Sequence, residues 1–187
     1  MRYLKTFFLI IFWQLFVGCT NSHEFGPYQG KVVDKETLKP LEGAVVFVKF
    51  TSRVPSVGGD VRHFADAVET LTDKNGEFYI PVQKLTLSGM FRRWDEFGDA
   101  IIFKPGYGAF PKHRESAPKP SPFYSKSPQG YVTIQLPKLH SIEERKRNLP
   151  DPGLVPEGKI INFLRLECIE SKGIGLTPIL DCCEDDI

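Results

Sequence analysis

Residues 28–51 read YQGKVVDKETLKPLEGAVVFVKFT, and residues 67–81 read AVETLTDKNGEFYIP. Both stretches carry short runs of β-branched and aromatic residues separated by Pro, Gly, Asn and Asp, a pattern typical of antiparallel strands. The segment DKNG predicts a tight turn, because Asn and Gly adopt positive φ readily. Four strands are therefore predicted, at 29–34, 44–51, 68–72 and 77–80.

The segments next to these strands follow from the same patterns. Residues 44–51 are apolar almost throughout, which predicts a central strand covered on both faces at its start. Residues 52–66 show no period and contain proline and glycine, so we expect a long hairpin loop there. Residues 131–138, YVTIQLPK, alternate between apolar and polar side chains and predict a strand that closes the sheet.

The patterns G-K-V-V-D, P-L-E-G-A-V-V and T-L-T-D-K-N-G-E-F-Y-I, with I-I-F-K-P-G-Y further on, resemble the carboxypeptidase regulatory-like domain. The matching residues are Gly30, Val32, Asp34, Pro40, Leu41, Gly43, Ala44, Val46, Thr72, Asp73, Gly76, Phe78 and Ile80. The resemblance spans 28–138 and implies a mainly β fold, a transthyretin-like (prealbumin-like, Ig-like) antiparallel β-sandwich of about seven strands. Long inserts at 52–66, 84–98 and 108–130 depart from the family pattern.

The N-terminal residues predict a cleaved export signal. Arg2 and Lys5 precede an apolar run at 7–17, which is short for a membrane span and suits a signal peptide. The segment F-V-G-C that ends at Cys19 resembles the bacterial lipoprotein signal, which implies removal of 1–18 and lipidation of Cys19. An ordinary signal peptide and a retained N-terminal anchor are the alternatives.

The segments that flank the sandwich complete the domain plan. Residues 19–27 are expected to form a polar tether, and residues 139–187 a helical appendage with a cysteine-containing tail. Ser141 and Glu144 form the pattern of a capping box at the start of a short helix. A second helix is expected from about 157 to 171, with its apolar face formed by Ile160, Ile161, Leu164 and Cys168.

Three cysteines lie near the C-terminus, and an exported chain meets an oxidising compartment. A disulfide bond between the adjacent residues Cys182 and Cys183 would close a strained ring. Cys168 is therefore expected to form a disulfide bond with one of them. Zinc is the alternative, but three cysteines without a neighbouring histidine make a poor site. We therefore expect no metal and no cofactor.

Catalytic patterns are weak in this sequence, which lacks G-x-S-x-G and H-E-x-x-H. The segment DKNG lacks the further oxygen ligands of a calcium loop. Carboxylates between 95 and 99, beside neighbouring arginines, are expected to form ion pairs in a solvated loop. A small hydrolase that uses Asp95, Asp99 and His113 is the enzymatic alternative, and the non-catalytic interpretation is favoured.

Residues 104–126 form a basic, aromatic and proline-rich loop. The candidate ligand-binding residues are Lys104, Tyr107, Lys112, Arg114, Tyr124 and Lys126. Aromatic side chains can cover sugar faces while cationic side chains pair with negative charge, so an anionic glycan or a lipid headgroup is a possible ligand. The favoured alternative is a loop that folds over the sheet edge, with its aromatic side chains buried.

The length of 187 residues suits one domain, and the formal net charge of +1 argues against nucleic acid as a partner. The expected protein is a non-catalytic lipoprotein of the bacterial cell envelope that faces the periplasm and serves as a binding or structural module. Its expected partners are the membrane, reached through the N-terminal lipid, and an envelope protein or an anionic glycan. Thr20, rather than Asp, after Cys19 favours the outer membrane.

Overall fold

The computed structural model describes residues 20–89, 91–116 and 131–178. The strands are β1 Thr20–Phe25, β2 Tyr28–Asp34, β3 Val45–Ser56, β4 Gly59–Leu71, β5 Glu77–Ile80, β6 Gln83–Ser88, β7 Arg93–Trp94, β8 Asp99–Phe103 and β9 Val132–Leu136. The helices are α1 Ile142–Asn148 and α2 Ile161–Gly173, with a 3-10 turn at Glu157–Lys159. The fold is mainly β, as predicted. Within these residues, no helix has both the length and the apolar character needed to cross a bilayer.

Two sheets share one apolar core. One sheet has the order β5-β2-β9, and the other has the order β4-β3-β7, with β8 also paired to β3. Side chains of both sheets meet in the core, including Val32 and Ile134 from the first and Val46 and Ile102 from the second. A separate two-stranded pair, β1 with β6, adds Phe25 to the same core.

One strand pair runs against the antiparallel expectation. β9 lies parallel to β2, with Gly30 opposite Val132 and Asp34 opposite Leu136. Between β5 and β9 the chain adds β7 and β8 to the other sheet. β9 then pairs with β2 and runs in the same direction. The other strand pairs that the structure describes are antiparallel.

β3 is covered on both faces at its start, which confirms the prediction for this strand. Val46, Val48 and Phe50 point into the core between the sheets. Val45 and Phe47 point the other way, into a second apolar cluster that includes Phe163 of α2. α2 therefore covers the outer face of the second sheet.

The predicted loop at 52–66 is wrong. β3 and β4 continue as a two-stranded ribbon to a tight turn, with Ser56 opposite Gly59. Ala65 is the extra residue of a bulge, because Phe50 pairs with Asp66 while Thr51 pairs with Phe64. Backbone pairing along the ribbon supplies the order that the side-chain pattern does not indicate. We call residues 54–61 the ribbon tip.

The predicted tether at 19–27 and the insert at 84–98 are also corrected, because both contain strands that pair with each other. Thr20 lies opposite Ser88, and Phe25 lies opposite Gln83. Phe25 is buried, with its ring centroid 4.6 Å from that of Phe50. The sequence of β1 is polar apart from Phe25, so the sequence carried little sign of this strand.

The C-terminal appendage begins as predicted, with Ser141 as N-cap of α1 and Glu144 completing the capping box. The apolar face of α2 differs in two residues. Phe163, which lies outside the predicted face, is buried, and Ile161, which lies within it, is 56% exposed because it opens the helix. The Glu69 carboxylate of β4 accepts hydrogen bonds from the backbone amides of Asn162 and Phe163, at 2.7 and 3.0 Å.

Cys168 is buried and disulfide-bonded. The other three cysteines of the chain lie outside the described residues. The choice of Cys182 or Cys183 as its partner therefore stays a prediction.

Candidate functional site

A cleft of about 440 Å³ opens on the outer face of the second sheet. It is lined by Lys49, Asp99, Ala100, Ile101, Phe110, Pro111, Lys112, Pro150 and Asp151. Its volume lies within the range of small-molecule sites, which is roughly 300–1,000 Å³. Three segments form its walls: the paired strands β3 and β8, the residues around Pro111, and the linker between α1 and α2. We call this space the linker cleft.

Two lysines of the linker cleft are held by the linker itself. Lys49 Nζ donates to the carbonyl oxygen of Pro152 at 2.8 Å, and Lys112 Nζ donates to the carbonyl oxygen of Leu149 at 2.5 Å. An ammonium group has three donors, so each lysine can still donate to a ligand after its bond to the linker. The two cationic groups are thus positioned by the protein before any ligand arrives.

Two carboxylates share the cleft with these lysines. Asp99 lies directly opposite Lys49 on the neighbouring strand, and Asp151 Oδ1 accepts a hydrogen bond from the Gly153 amide at 2.7 Å. Burial raises the pKa of the nearby Glu167 carboxyl, and the charge of Asp151 raises that pKa further. The cleft therefore offers both cationic donors and anionic acceptors.

Asp95 lies beside the cleft and is only 4% exposed, which corrects the prediction of a solvated loop. Its carboxylate accepts a hydrogen bond from Thr51 Oγ1 at 2.5 Å and forms ion pairs with Arg53 and with Arg62, the latter at 3.0 Å. The arginines that pair with it come from β3 and β4 and not from the adjacent positions 92 and 93.

Three arginines lie in one row across the sheet, since Arg53 is opposite both Arg62 and Arg93. Like charges directly opposite each other destabilise a sheet. The buried carboxylate of Asp95 lies under this row and compensates part of its charge. Asp95 therefore has a structural role that accounts for its burial.

The hydrolase residues are only partly brought together. Arg62 contacts both carboxylates: its Nε lies 3.0 Å from an Asp95 oxygen, and its Nη1 lies 4.0 Å from an Asp99 oxygen. His113 Nδ1 instead accepts a hydrogen bond from the Glu115 amide at 3.2 Å. In the described part of the chain, no hydrogen bond or ion pair joins His113 to Asp95 or Asp99.

The candidate residues of the basic loop lie in different places. Lys104 Nζ donates to the carbonyl oxygen of Glu42 at 2.6 Å, and the Tyr107 hydroxyl donates to Asp34 at 3.3 Å. Burial raises the pKa of Tyr107, and the Asp34 charge raises it further. Lys112 lines the linker cleft, whereas Arg114 is exposed on the surface.

The remaining two candidates, Tyr124 and Lys126, lie outside the described residues. Lys112 is thus the one described member of the predicted set that lines the cleft. Sequence reasoning missed Lys49 and Asp151. Lys49 carried a signal, as a lone charge within the apolar run AVVFVKFT, but Asp151 lies in a proline-rich linker that carried none.

The part of the chain that the structure describes holds no group of three or more His, Cys, Asp or Glu side chains suited to a metal ion. No family model, curated protein or solved structure matches this chain. The N-terminal sequence and the geometry of the linker cleft are therefore the basis for proposing a function.

Proposed function

We propose that this protein is a non-catalytic lipoprotein of the bacterial cell envelope, lipid-anchored at Cys19 in the outer membrane and facing the periplasm. The observation that carries the proposal is the apolar run at 7–17 followed by F-V-G-C at 16–19. Strand β1 begins at Thr20, immediately after the proposed lipidation site. Acyl chains on one cysteine bury enough methylene groups for stable anchoring, at about 0.8 kcal/mol each.

We further propose that the domain is a transthyretin-like β-sandwich of the carboxypeptidase regulatory-like kind. The two sheets that face each other support this, because they have three and four strands, seven together, while β1 and β6 form a separate pair. Two of the glycines that carry the resemblance also have a backbone reason to be glycine. Gly30 faces the Val132 carbonyl oxygen without room for a side chain, and Gly76 has a φ of +74°.

Anchoring is tested at the proposed lipidation site. We expect mass spectrometry of the native protein to show an N-terminal cysteine that carries a diacylglyceryl group. A Cys19→Ala variant should lack this group and retain residues 1–18, because the thiol is the acceptor. A Thr20→Ser variant is the matched control and should be processed normally. A mature N-terminus without lipid, or one that begins elsewhere, would contradict the proposal.

A second candidate function, binding of an anionic glycan, is favoured by the two lysines that the linker positions in the cleft. A sugar acid has a carboxylate that can pair with Lys49 and Lys112, and hydroxyl groups that can donate to Asp99 and Asp151. Phe110 and the prolines of the cleft supply an apolar wall for the faces of the sugar ring. This mixture suits a sugar acid better than a bare phosphate.

Binding is tested with glucuronic acid, and with glucose as the uncharged probe. We expect Lys112→Glu to weaken glucuronate binding about tenfold at low salt, which corresponds to about 1.4 kcal/mol. Lys172→Glu, a charge reversal at an exposed position of α2, is the control and should leave the affinity unchanged. Equal affinity of the two variants, or equal affinity for glucose and glucuronate, would rule out this use of the cleft.

A further inference from the structure

The start of β1, the turn from β6 to β7 and the ribbon tip lie at the same end of the second sheet. Thr20, the first residue of β1, pairs with Ser88, the last residue of β6, so the turn from β6 to β7 lies beside the start of β1. β7 runs antiparallel to β3, which places this turn on the side toward which β3 extends. Trp94 Nε1 donates to the Asn21 carbonyl oxygen at 3.2 Å and joins β1 to β7.

The ribbon tip projects from this end. β3 continues for four residues beyond Ser52, which pairs with Trp94, and the turn follows at Val57. At about 3.3 Å per residue, Val57 lies roughly 17 Å beyond Ser52 along the strand. The tip thus projects past the last cross-strand pair between β3 and β7.

Large apolar side chains are exposed at this end. Val57 at the turn of the ribbon is fully exposed, and Val61 is 45% exposed. Phe91, in the turn from β6 to β7, is 75% exposed. Three large apolar side chains are thus exposed at one end of the sheet, and apolar side chains rimmed by polar residues can mark a membrane interaction site.

Cationic groups lie at the same end of the sheet as these apolar side chains. Arg53, Arg62 and Arg93 form the row described above, and Arg92 follows Phe91 in sequence. Three carboxylates lie near these four arginines: Asp60 on the ribbon tip, Asp95, which pairs with Arg53 and Arg62, and Asp99, which lies 4.0 Å from Arg62. Arg92 and Arg93 supply the remaining positive charge. Guanidinium groups bind phosphate oxygens in bidentate geometry.

We infer that this end of the domain rests on an anionic lipid bilayer, with the ribbon tip and Phe91 inserted between headgroups. The inference rests on the proposed anchoring at Cys19. The chain outside the structure carries the lipidated residue one position before Thr20, so the acyl chains enter the bilayer at this end. The lipid chains hold the domain at the bilayer, and a basic apolar surface beside them adds a second attachment.

Quenching of tryptophan by brominated lipid tests the contact. The protein as processed in its native envelope is reconstituted into vesicles of phosphatidylcholine and phosphatidylglycerol, with and without bromine on the acyl chains. Val57→Trp places a reporter at the ribbon tip, and Leu38→Trp places one at an exposed position near the opposite end of β3. Bromine should reduce the added emission of the Val57→Trp protein at least twofold and leave that of Leu38→Trp unchanged, since the native tryptophans contribute equally to both.

Charge reversal tests the role of the arginines. Arg92→Glu combined with Arg93→Glu should reduce the quenching of the Val57→Trp reporter by about half in vesicles with phosphatidylglycerol. Lys39→Glu, an exposed charge near the opposite end, is the control and should have no effect.

The outcomes separate this inference from the proposed function. An unquenched Val57→Trp reporter in a protein that carries a diacylated Cys19 overturns the membrane contact and leaves the anchoring intact. Equal quenching at both positions also overturns it, because the domain then has no fixed orientation. Selective quenching in a protein with an unmodified Cys19 supports the contact and overturns the lipid anchor.

Discussion

A Gly30→Ala variant is expected to lose about 3 kcal/mol of the free energy of unfolding. The added methyl group would lie against the Val132 carbonyl oxygen and 2.7 Å from Val132 Cγ2, with the Phe78 ring at 3.1 Å. The first obstacle is backbone, so β9 must move away from β2 to make room. Overpacking of this kind typically destabilises by about 1–3 kcal/mol, and a displaced strand places the effect at the upper end.

Gly58→Ala is the matched control for this prediction. A methyl group at Gly58 meets no atom within 4 Å, because the residue lies in the exposed turn of the ribbon. Denaturant unfolding of both variants, followed by circular dichroism, gives the two free energies. Unfolding of both variants at the same denaturant concentration as the native protein would show that β2 and β9 do not approach as described.

A Glu170→Ala variant is expected to lose about 3–5 kcal/mol. The carboxylate is 2% exposed and accepts hydrogen bonds from Arg145 Nε and Nη2, at 2.8 and 2.6 Å, and from the Gly106 amide at 2.8 Å. The hydrogen bonds between Arg145 and Glu170 raise the pKa of Arg145. All three bonds together join α1, α2 and the turn after β8. Removal of the carboxylate leaves a partly buried guanidinium without its counter-charge, which is strongly destabilising.

Glu143→Ala, an exposed carboxylate on α1, is the control and should change the free energy of unfolding by less than about 0.5 kcal/mol. Glu170→Gln should fall between the two, because an amide oxygen can still accept from Gly106 but carries no charge. Equal stability of the Glu170→Ala and Glu143→Ala proteins would mean that the C-terminal appendage does not depend on this contact.

The strands that the sequence predicted are those with a strong local pattern. The turn at 73–76 depends on residues within it and next to it: the Asp73 carboxylate accepts hydrogen bonds from the amides of Asn75 and Glu77, both at 2.8 Å. β3 could be placed because two buried faces require an apolar run. Such signals lie within a few residues of the structure that they determine.

The sequence did not reveal the strands that depend on distant partners. β1 and the outer half of the ribbon are polar or irregular in sequence, and backbone pairing with another segment orders them. The parallel pairing of β2 with β9 likewise has no local signal. Side-chain patterns report burial, so they say little about strands whose side chains stay exposed.

The candidate site was predictable only in fragments. The sequence suggested Lys112 as a ligand-binding residue of the basic loop and Asp99 as a residue of a hydrolase. The fold places both in one cleft with Lys49 and Asp151. Burial of Asp95 was not foreseeable, because its partners Arg53 and Arg62 come from an earlier hairpin that is distant in sequence. Sites assembled from separate segments leave no spacing pattern in the sequence.

The parallel pairing of β2 with β9 sets a delay during synthesis of the chain. Gly30 can pair with Val132 only after about a hundred further residues have been synthesised. At about 5–20 residues per second, their synthesis takes roughly 5–20 s. β5 can occupy one edge of β2 during that interval, but the other edge stays open. An open strand edge is a template for pairing with other chains. The nascent protein is therefore most prone to aggregation before β9 is made, and a chain that stops short of β9 keeps that open edge permanently.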